Sequence, residues 1–275
     1  MQSSAGRVWL LGGLLLSVPA GLRLAQALDD RHVNRIRQVL EQTGGPEVFS
    51  AEMIAGLPAP VQRYLRHAIA PGTPLAASVT LTMSGTIKLG ADWRPFTARQ
   101  ILTPGQGFVW RARAQMGPAF FEGADYYAAG EGRMRFALFG LLPLIQATGP
   151  DTTRSALGRL MGESVLVAAR LLPQWGVQWT ALDDEQIQAT MTVAGETTTL
   201  TLTIDAAGQL REVVLPRWNV EERAYVPFGV AFSGEHASGG YTIPAQMQAG
   251  WWYGTERYQQ SGPFFRATIE TARFH

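Results

Sequence analysis

The chain has 275 residues, 46% of them apolar and 16% charged, with a formal net charge of +1. That composition supplies a sizeable core and excludes a disordered chain, and the near-neutral balance excludes a broad nucleic-acid footprint. The absence of cysteine excludes disulfides, thiolate metal sites, thiol catalysis and the lipid-acceptor cysteine of a bacterial lipoprotein.

Arg7 precedes an uncharged apolar run, residues 8–22. As a helix the run spans roughly 22 Å, short of a ~30 Å hydrocarbon core. It suits the apolar region of a signal peptide, and Ala25-Gln26-Ala27 offers the small-x-small cleavage pattern. An uncleaved anchor is the alternative: continuing to Leu28 reaches about 31 Å, with Arg23 snorkelling to the interface. Residues 1–28 are therefore expected to form an N-terminal hydrophobic helix, either signal peptide or membrane anchor. The rest then lies outside the cytoplasm, held at the inner membrane or, if cut near Ala27, periplasmic or secreted.

Residues 29–56 read as a linker helix and loop. Val33, Ile36, Val39 and Leu40 recur at helical spacing, and Gly44-Gly45-Pro46 stops the pattern. Arg31, His32, Arg35 and Arg37 could alternatively touch lipid headgroups. A single β-rich domain, residues 57–275, follows. It opens with a short helix over 57–69, with Pro60 in its first turn and an apolar stripe of Val61, Tyr64, Leu65, Ala68 and Ile69.

Strands then dominate. Residues 78–88 (SVTLTMSGTIK) alternate without a fault, and 94–102, 107–114, 119–127 and 133–138 read as further strands separated by Gly, Pro and Asp. A helical stretch begins at an Asp151 cap, places Leu157, Leu160, Met161 and Val165 on one face, and ends at Pro173. A second strand series covers 176–184, 197–204, 209–220, 224–234, 241–254 and 264–274. About 11–12 strands with no strand–helix alternation argue for antiparallel meanders rather than a doubly wound α/β fold.

Thr199, Thr201 and Thr203 interleave with Leu200, Leu202 and Ile204, so the sheet has one wet and one dry face. So many sequential strands must curl, and the dry concave face must be covered. The expected fold is α+β: a strongly curved antiparallel half-barrel packed on two helices, plus the N-terminal hydrophobic helix. Phe108 and Trp110 share a face opposite Arg111 and Arg113, and Met134, Phe136 and Leu138 oppose Arg133 and Arg135. A packed core beneath a solvated basic outer face satisfies this pattern. A residual cavity for a hydrophobic ligand satisfies it too, lined by Phe108, Trp110, Met116, Met134 and Trp179.

Catalytic signatures are weak. His32, His67, His236 and His275 show no metal-ligand spacing, so no metal or other cofactor is expected; His67 reads as a helix flank and His236 as a loop residue. No G-x-S-x-G is present, and Gly130-Glu131-Gly132 marks a hairpin turn rather than a dinucleotide loop. Asp183-Asp184 reads as a turn. Glu163, four residues after Arg159, reads as a helical ion pair, with ligand anchoring or catalysis as the alternative. Asp125 reads as a turn stabiliser that could otherwise accept a proton.

At LPAPVQRYLRHAI (57–69), WRPFTARQ (93–100), FVWRARAQMGP (108–118), DYYAAGEGRM (125–134), the GVQWTALDD stretch (176–184) and YTIPA (241–245), the chain resembles a bacterial family of membrane-tethered β-rich proteins with no assigned activity. The similarity runs from about Gly56 onward and implies no catalytic residues. In strand count and helix placement the chain is also similar to the bacterial lipoprotein carriers. That resemblance implies a half-barrel holding acyl chains, and fold analogy alone is a weak warrant. The expected function is a cell-envelope protein binding a lipid or other hydrophobic small molecule, with the N-terminal segment meeting the inner membrane. An enzyme acting on a hydrophobic substrate and a tethered scaffold with a solid core are the alternatives.

Overall fold

The computed structural model describes residues 21–275 in full and residues 5–20 by backbone alone. The apolar run read as signal or anchor, residues 8–22, lies almost wholly outside the fully described residues. Among the described residues, no helix is long and apolar enough to cross a membrane.

One antiparallel sheet of thirteen strands forms the body. The first series is β1 (Val79–Leu89), β2 (Asp92–Thr103), β3 (Gly107–Met116), β4 (Ala119–Ala128), β5 (Glu131–Leu138) and β6 (Leu142–Ala147). The second is β7 (Gln178–Ala181), β8 (Gln186–Val193), β9 (Glu196–Ile204), β10 (Leu210–Asn219), β11 (Ala224–Ser238), β12 (Tyr241–Trp251) and β13 (Pro263–Phe274). Spatial order is β6-β5-β4-β3-β2-β1-β13-β12-β11-β10-β9-β8-β7. Every neighbour in space is a neighbour in sequence except β1 and β13, so two meanders join at the centre of the sheet.

The strand number exceeds the 11–12 expected. Two strands, β6 and β8, were not among those read from sequence. In β6, Pro143 and a register break opposite Phe136 and Ala137 disturb the alternation. The alternation in β8 is clean, with Ile187, Ala189, Met191 and Val193 all buried.

The hydroxylated face behaves as the alternation requires. Thr190 and Thr199 hydroxyls meet at 2.9 Å, Thr192 and Thr197 at 2.8 Å, and Thr82 and Thr271 at 2.7 Å. Such cross-strand pairs each add a few tenths of a kcal/mol. Leu200, Leu202 and Ile204 are buried on the opposite face. Glycine sets the bend: at Gly85 a Cβ would stand 1.9 Å from the Arg266 carbonyl oxygen, and at Gly123 1.9 Å from that of Arg135. The concave side of each strand there presses onto its neighbour's backbone, which only glycine permits.

Three longer helices pack on the sheet. Helix α1 (Ala5–Leu40) comes first, then α2 (Ala59–Ala68) and α3 (Pro150–Glu163). A one-turn α4 (Glu256–Ser261) precedes β13. Helix α2 has a proline in its first turn and buries Val61, Tyr64, Leu65 and Ala68 in the main core. Helix α3 bridges the two walls of the trough. Gly132 of β5 abuts Thr153 and Ala156, while Gly158 and Gly162 abut Arg217 and Leu215 of β10. The helix is shorter than the sequence pattern suggests. It starts after Gly149, which makes no side-chain cap, and it ends at Glu163. Three short 3-10 turns follow, over residues 164–166, 168–171 and 173–175. Val165 to Ala169, Leu171 and Leu172 are all buried. Together α3 and these turns carry the chain from the β6 edge to the β7 edge across the concave face.

The second half of α1 packs on the convex face rather than standing apart as a linker. Val33 and Leu40 form a separate apolar cluster with Ile101, Val109, Ala124 and Tyr126. Asp29 pairs with Arg135 at 2.9 Å and Arg133 at 3.4 Å, and Asp30 pairs with Arg111. The basic outer stripe expected to be solvated is thus partly covered by α1, and Arg113 lies over the Phe120 ring at 3.6 Å. Introducing Val33→Asp should free this helix, since it removes apolar burial and places a charge against Ile101 and Val109, about 2–3 kcal/mol in all. Hydrogen exchange should then accelerate across residues 21–40 with little change in the β-sheet amides. Unchanged protection of those residues would contradict the docking.

Candidate functional site

The concave side of β2, β3 and β4 carries inward rows fixed by pairing register. Gln100 stands opposite Trp110, and Trp110 opposite Asp125. Asp125 is therefore a mid-strand residue facing the trough, not the turn stabiliser the sequence suggested. Arg159 reaches down from α3 and joins these groups. Its Nη1 donates to Asp125 Oδ2 at 2.8 Å, its Nε to Glu163 Oε1 at 2.7 Å and its Nη2 to Gln100 Oε1 at 3.1 Å. Gln100 Nε2 closes the ring by donating to Glu163 Oε2 at 2.5 Å. The guanidinium lies over Phe108 at 4.5 Å and near Trp110 at 5.4 Å. The expected i, i+4 pair of Arg159 and Glu163 is present, as part of a larger buried network.

Burial sets the electrostatics. It raises the Asp125 pKa, and the attraction of Arg159 and Arg217 offsets only part of that rise. Burial also opposes the Arg159 charge, but Glu163 and Asp125 outweigh it and hold the guanidinium above its ordinary value. Arg217, from β10, is pushed down to about 10 by burial first and by the Arg159 charge second. It remains protonated at neutral pH.

An aromatic wall continues from the network. Phe96 lies 5.7 Å from Trp110 and 5.1 Å from Phe265, and Trp110 lies 6.1 Å from Phe136. Trp110 Nε1 is buried with no hydrogen-bond partner among the described residues. Beyond α3 the trough opens. Ile87, Leu89, Met116, Phe121 and Leu138 continue the inward rows and are part-exposed, while Leu142 and Ile145 on β6 are 49% and 39% exposed. Apolar surface thus remains part-exposed at this end.

Of the five residues expected to line a cavity, Phe108, Trp110 and Met134 lie about Asp125 and Arg159, while Met116 and Trp179 lie apart from them. Phe108 is fully buried beneath Arg159, and Trp110 belongs to the aromatic wall. Met134 is part-buried opposite Asp125, and Met116 lies at the open end. Trp179 sits on β7, where its Nε1 donates to the Leu171 carbonyl at 2.8 Å and its ring lies 5.9 Å from Tyr64. The space beneath α3 is packed. Two small pockets lie elsewhere. One of about 10 Å³ borders His67 and Glu235, and one of about 30 Å³ lies between Arg37 and Arg111. Neither exceeds the space of a few waters.

The other titratable candidates resolve simply. Asp183 Oδ1 accepts from the Glu185 and Gln186 amides at 2.8 and 2.6 Å, a side-chain-stabilised turn. His67 on α2 pairs with Glu235. His236 lies in β11 opposite Ile243, not in a loop. Among the described residues, no group of three or more His, Asp or Glu is placed to hold a metal ion. Sequence reasoning missed Gln100 and Arg217. Both share the parity of buried apolar neighbours, Phe96 and Leu102 for Gln100, Val213 and Leu215 for Arg217. A polar residue in an inward apolar row was the available signal.

A family model described as a family of unknown function, DUF6544, matches residues 47–261. The chain belongs to the DUF6544 family. The match begins a little before the Gly56 suggested by the motifs. No curated protein matches this DUF6544 chain. Several solved structures are similar to it. One, from Vibrio parahaemolyticus, is described as an outer membrane lipoprotein-sorting protein domain. It shares 12% identity at a TM-score of 0.42, over 72% of this chain and 86% of that one. A LolA superfamily protein from Nitrosomonas europaea shares 8% identity at a TM-score of 0.43, over 79% and 92%. A DUF1329 family protein from Desulfovibrio piger shares 10% identity at a TM-score of 0.36, over 72% and 86%. These likenesses are too distant to carry a function across to the DUF6544 chain.

Proposed function

We propose that this protein is a cell-envelope binding protein that takes a hydrophobic, lipid-like ligand on the concave side of its half-barrel. Residues 1–28 would insert in, or direct export across, the inner membrane. The observation that carries the reading is the part-exposed apolar end of the trough, where Met116, Phe121, Leu138, Leu142 and Ile145 continue the inward rows beyond the aromatic wall. Exposed contiguous apolar surface on a folded domain marks a binding face. The ligand enters at this end, because the space beneath α3 is already filled.

The filled space favours a second reading, a tethered scaffold with a solid core. The enzymatic alternative is weaker, because Asp125 and Glu163 are both engaged by Arg159. Lipid extraction and mass spectrometry of the full-length protein, with titration of a fluorescent fatty acid, separate the first two. A bound lipid is expected, and Leu138→Asp should weaken probe binding about tenfold or more while leaving the unfolding midpoint nearly unchanged. Lipid-free protein that leaves the probe unbound would favour the scaffold.

A further inference from the structure

We propose that Arg217 is an anion-binding residue that receives the carboxylate or phosphate head of an amphiphilic ligand. The inference rests on the binding reading above and deepens it by naming the ligand class.

Arg217 extends the inward row of Val213 and Leu215 and is only 9% exposed. Its stem passes Gly158 of α3, where any Cβ would come within 2.9 Å of the Arg217 Cγ. The helix thus leaves room for this side chain. Nε donates to the Ser155 carbonyl at 3.0 Å, which fixes the guanidinium plane. The head lies over Phe228 at 4.5 Å and Trp251 at 4.9 Å. Asp125 and Glu163 act on it through space, but both are hydrogen-bonded to Arg159 instead. Nε is the nitrogen that finds a partner; the two terminal nitrogens have none among the described residues.

A buried guanidinium normally has a carboxylate or carbonyl on each face of its fork. Here the two terminal nitrogens have no partner among the described residues, and the fork geometry matches a carboxylate or phosphate oxygen pair. Phe228, Trp251 and Phe264, whose rings lie within 5.0–6.4 Å of one another, give an attached tail an apolar path. Arg159 offers no such site, since each of its three nitrogens already donates to a neighbour.

The test uses full-length protein at pH 8, two probes, an anthroyloxy-labelled stearic acid and its methyl ester, and two competitors, hexadecyl phosphate and palmitate. The acid should bind about ten- to a hundred-fold more tightly than the ester, the usual worth of a charge-assisted bidentate contact. In Arg217→Met the acid should fall to the affinity of the ester, with ester binding retained. Arg217→Lys should keep part of the preference. Displacement of the acid by hexadecyl phosphate more strongly than by palmitate assigns a phosphate head, and the reverse a carboxylate. Equal binding of acid and ester by the native protein would overturn the proposal while leaving the binding function intact, and this comparison needs no variant to fold. A preference that survives in Arg217→Met would overturn it equally. Failure of both probes to bind would remove the binding function and the anion site together.

Discussion

Replacing Arg159 by methionine should destabilise the protein by about 3–5 kcal/mol at neutral pH, the usual consequence of stranding a buried charge partner. Asp125 and Glu163 would be left inside without their cation, and Gln100 Oε1 would lose its donor. The pH dependence gives the mechanism. Burial already raises the Asp125 pKa in the folded state, and Arg159 is the leading force opposing that rise. Without it the pKa climbs further. A carboxyl whose folded pKa lies above its unfolded value favours folding while protonated, and that advantage is lost as pH rises through the folded pKa. The deficit of the variant should therefore be smallest near pH 4–5 and grow toward pH 8. Urea unfolding at several pH values measures this directly. Combining Arg159→Met with Asp125→Leu and Glu163→Met should recover most of the loss, because exchanging a whole buried ion cluster for apolar groups is often neutral or better. A single variant with a pH-independent, sub-1 kcal/mol effect would show that the network is solvated and energetically idle.

Gly123→Val should be comparably damaging, about 3 kcal/mol or more, through overpacking against groups that cannot move aside. The added Cβ would stand 1.9 Å from the Arg135 carbonyl oxygen and 2.7 Å from the Phe136 Cα, both backbone atoms of the paired strand. Relief requires β4 and β5 to separate or the bend to flatten, and Asp125 sits two residues further along the same strand. The variant should thus lose the Asp125–Arg159 contact as well as local pairing. Gly56→Ala is the control: nothing lies within 4 Å of its Cβ position and its backbone is not left-handed, so its unfolding midpoint should barely change. Chemical denaturation of both proteins decides the matter, and equal midpoints would contradict the account of the bend.

Much of this architecture was readable from alternation alone. Leu200, Leu202 and Ile204 against Thr199, Thr201 and Thr203 specify both faces of one strand, and their burial follows the pattern. The unbroken parity of residues 79–88 did the same for β1. Pro143 hid β6, because a proline and an extra residue break the period that reveals a strand. The site was harder to see. Asp125 falls in the strand read over 119–127, but its place before the Gly130 turn suggested turn stabilisation, whereas pairing with Trp110 aims it into the trough. Nothing near Arg159 in sequence indicates that its partners lie 34 and 59 residues away on other strands. Long-range pairing, not local propensity, assembles the network.

The seam between β1 and β13 has a kinetic consequence. Val79 pairs with Phe274 and Ile87 with Phe265, so the middle of the sheet is the part whose residues are farthest apart along the chain. Closing such a contact is slow. Until it closes, each meander presents a raw inner border, β1 on one and β13 on the other, able to recruit foreign strands. A chaperone that shields those borders, or a high effective concentration of the two wings, would govern how much chain matures rather than aggregates.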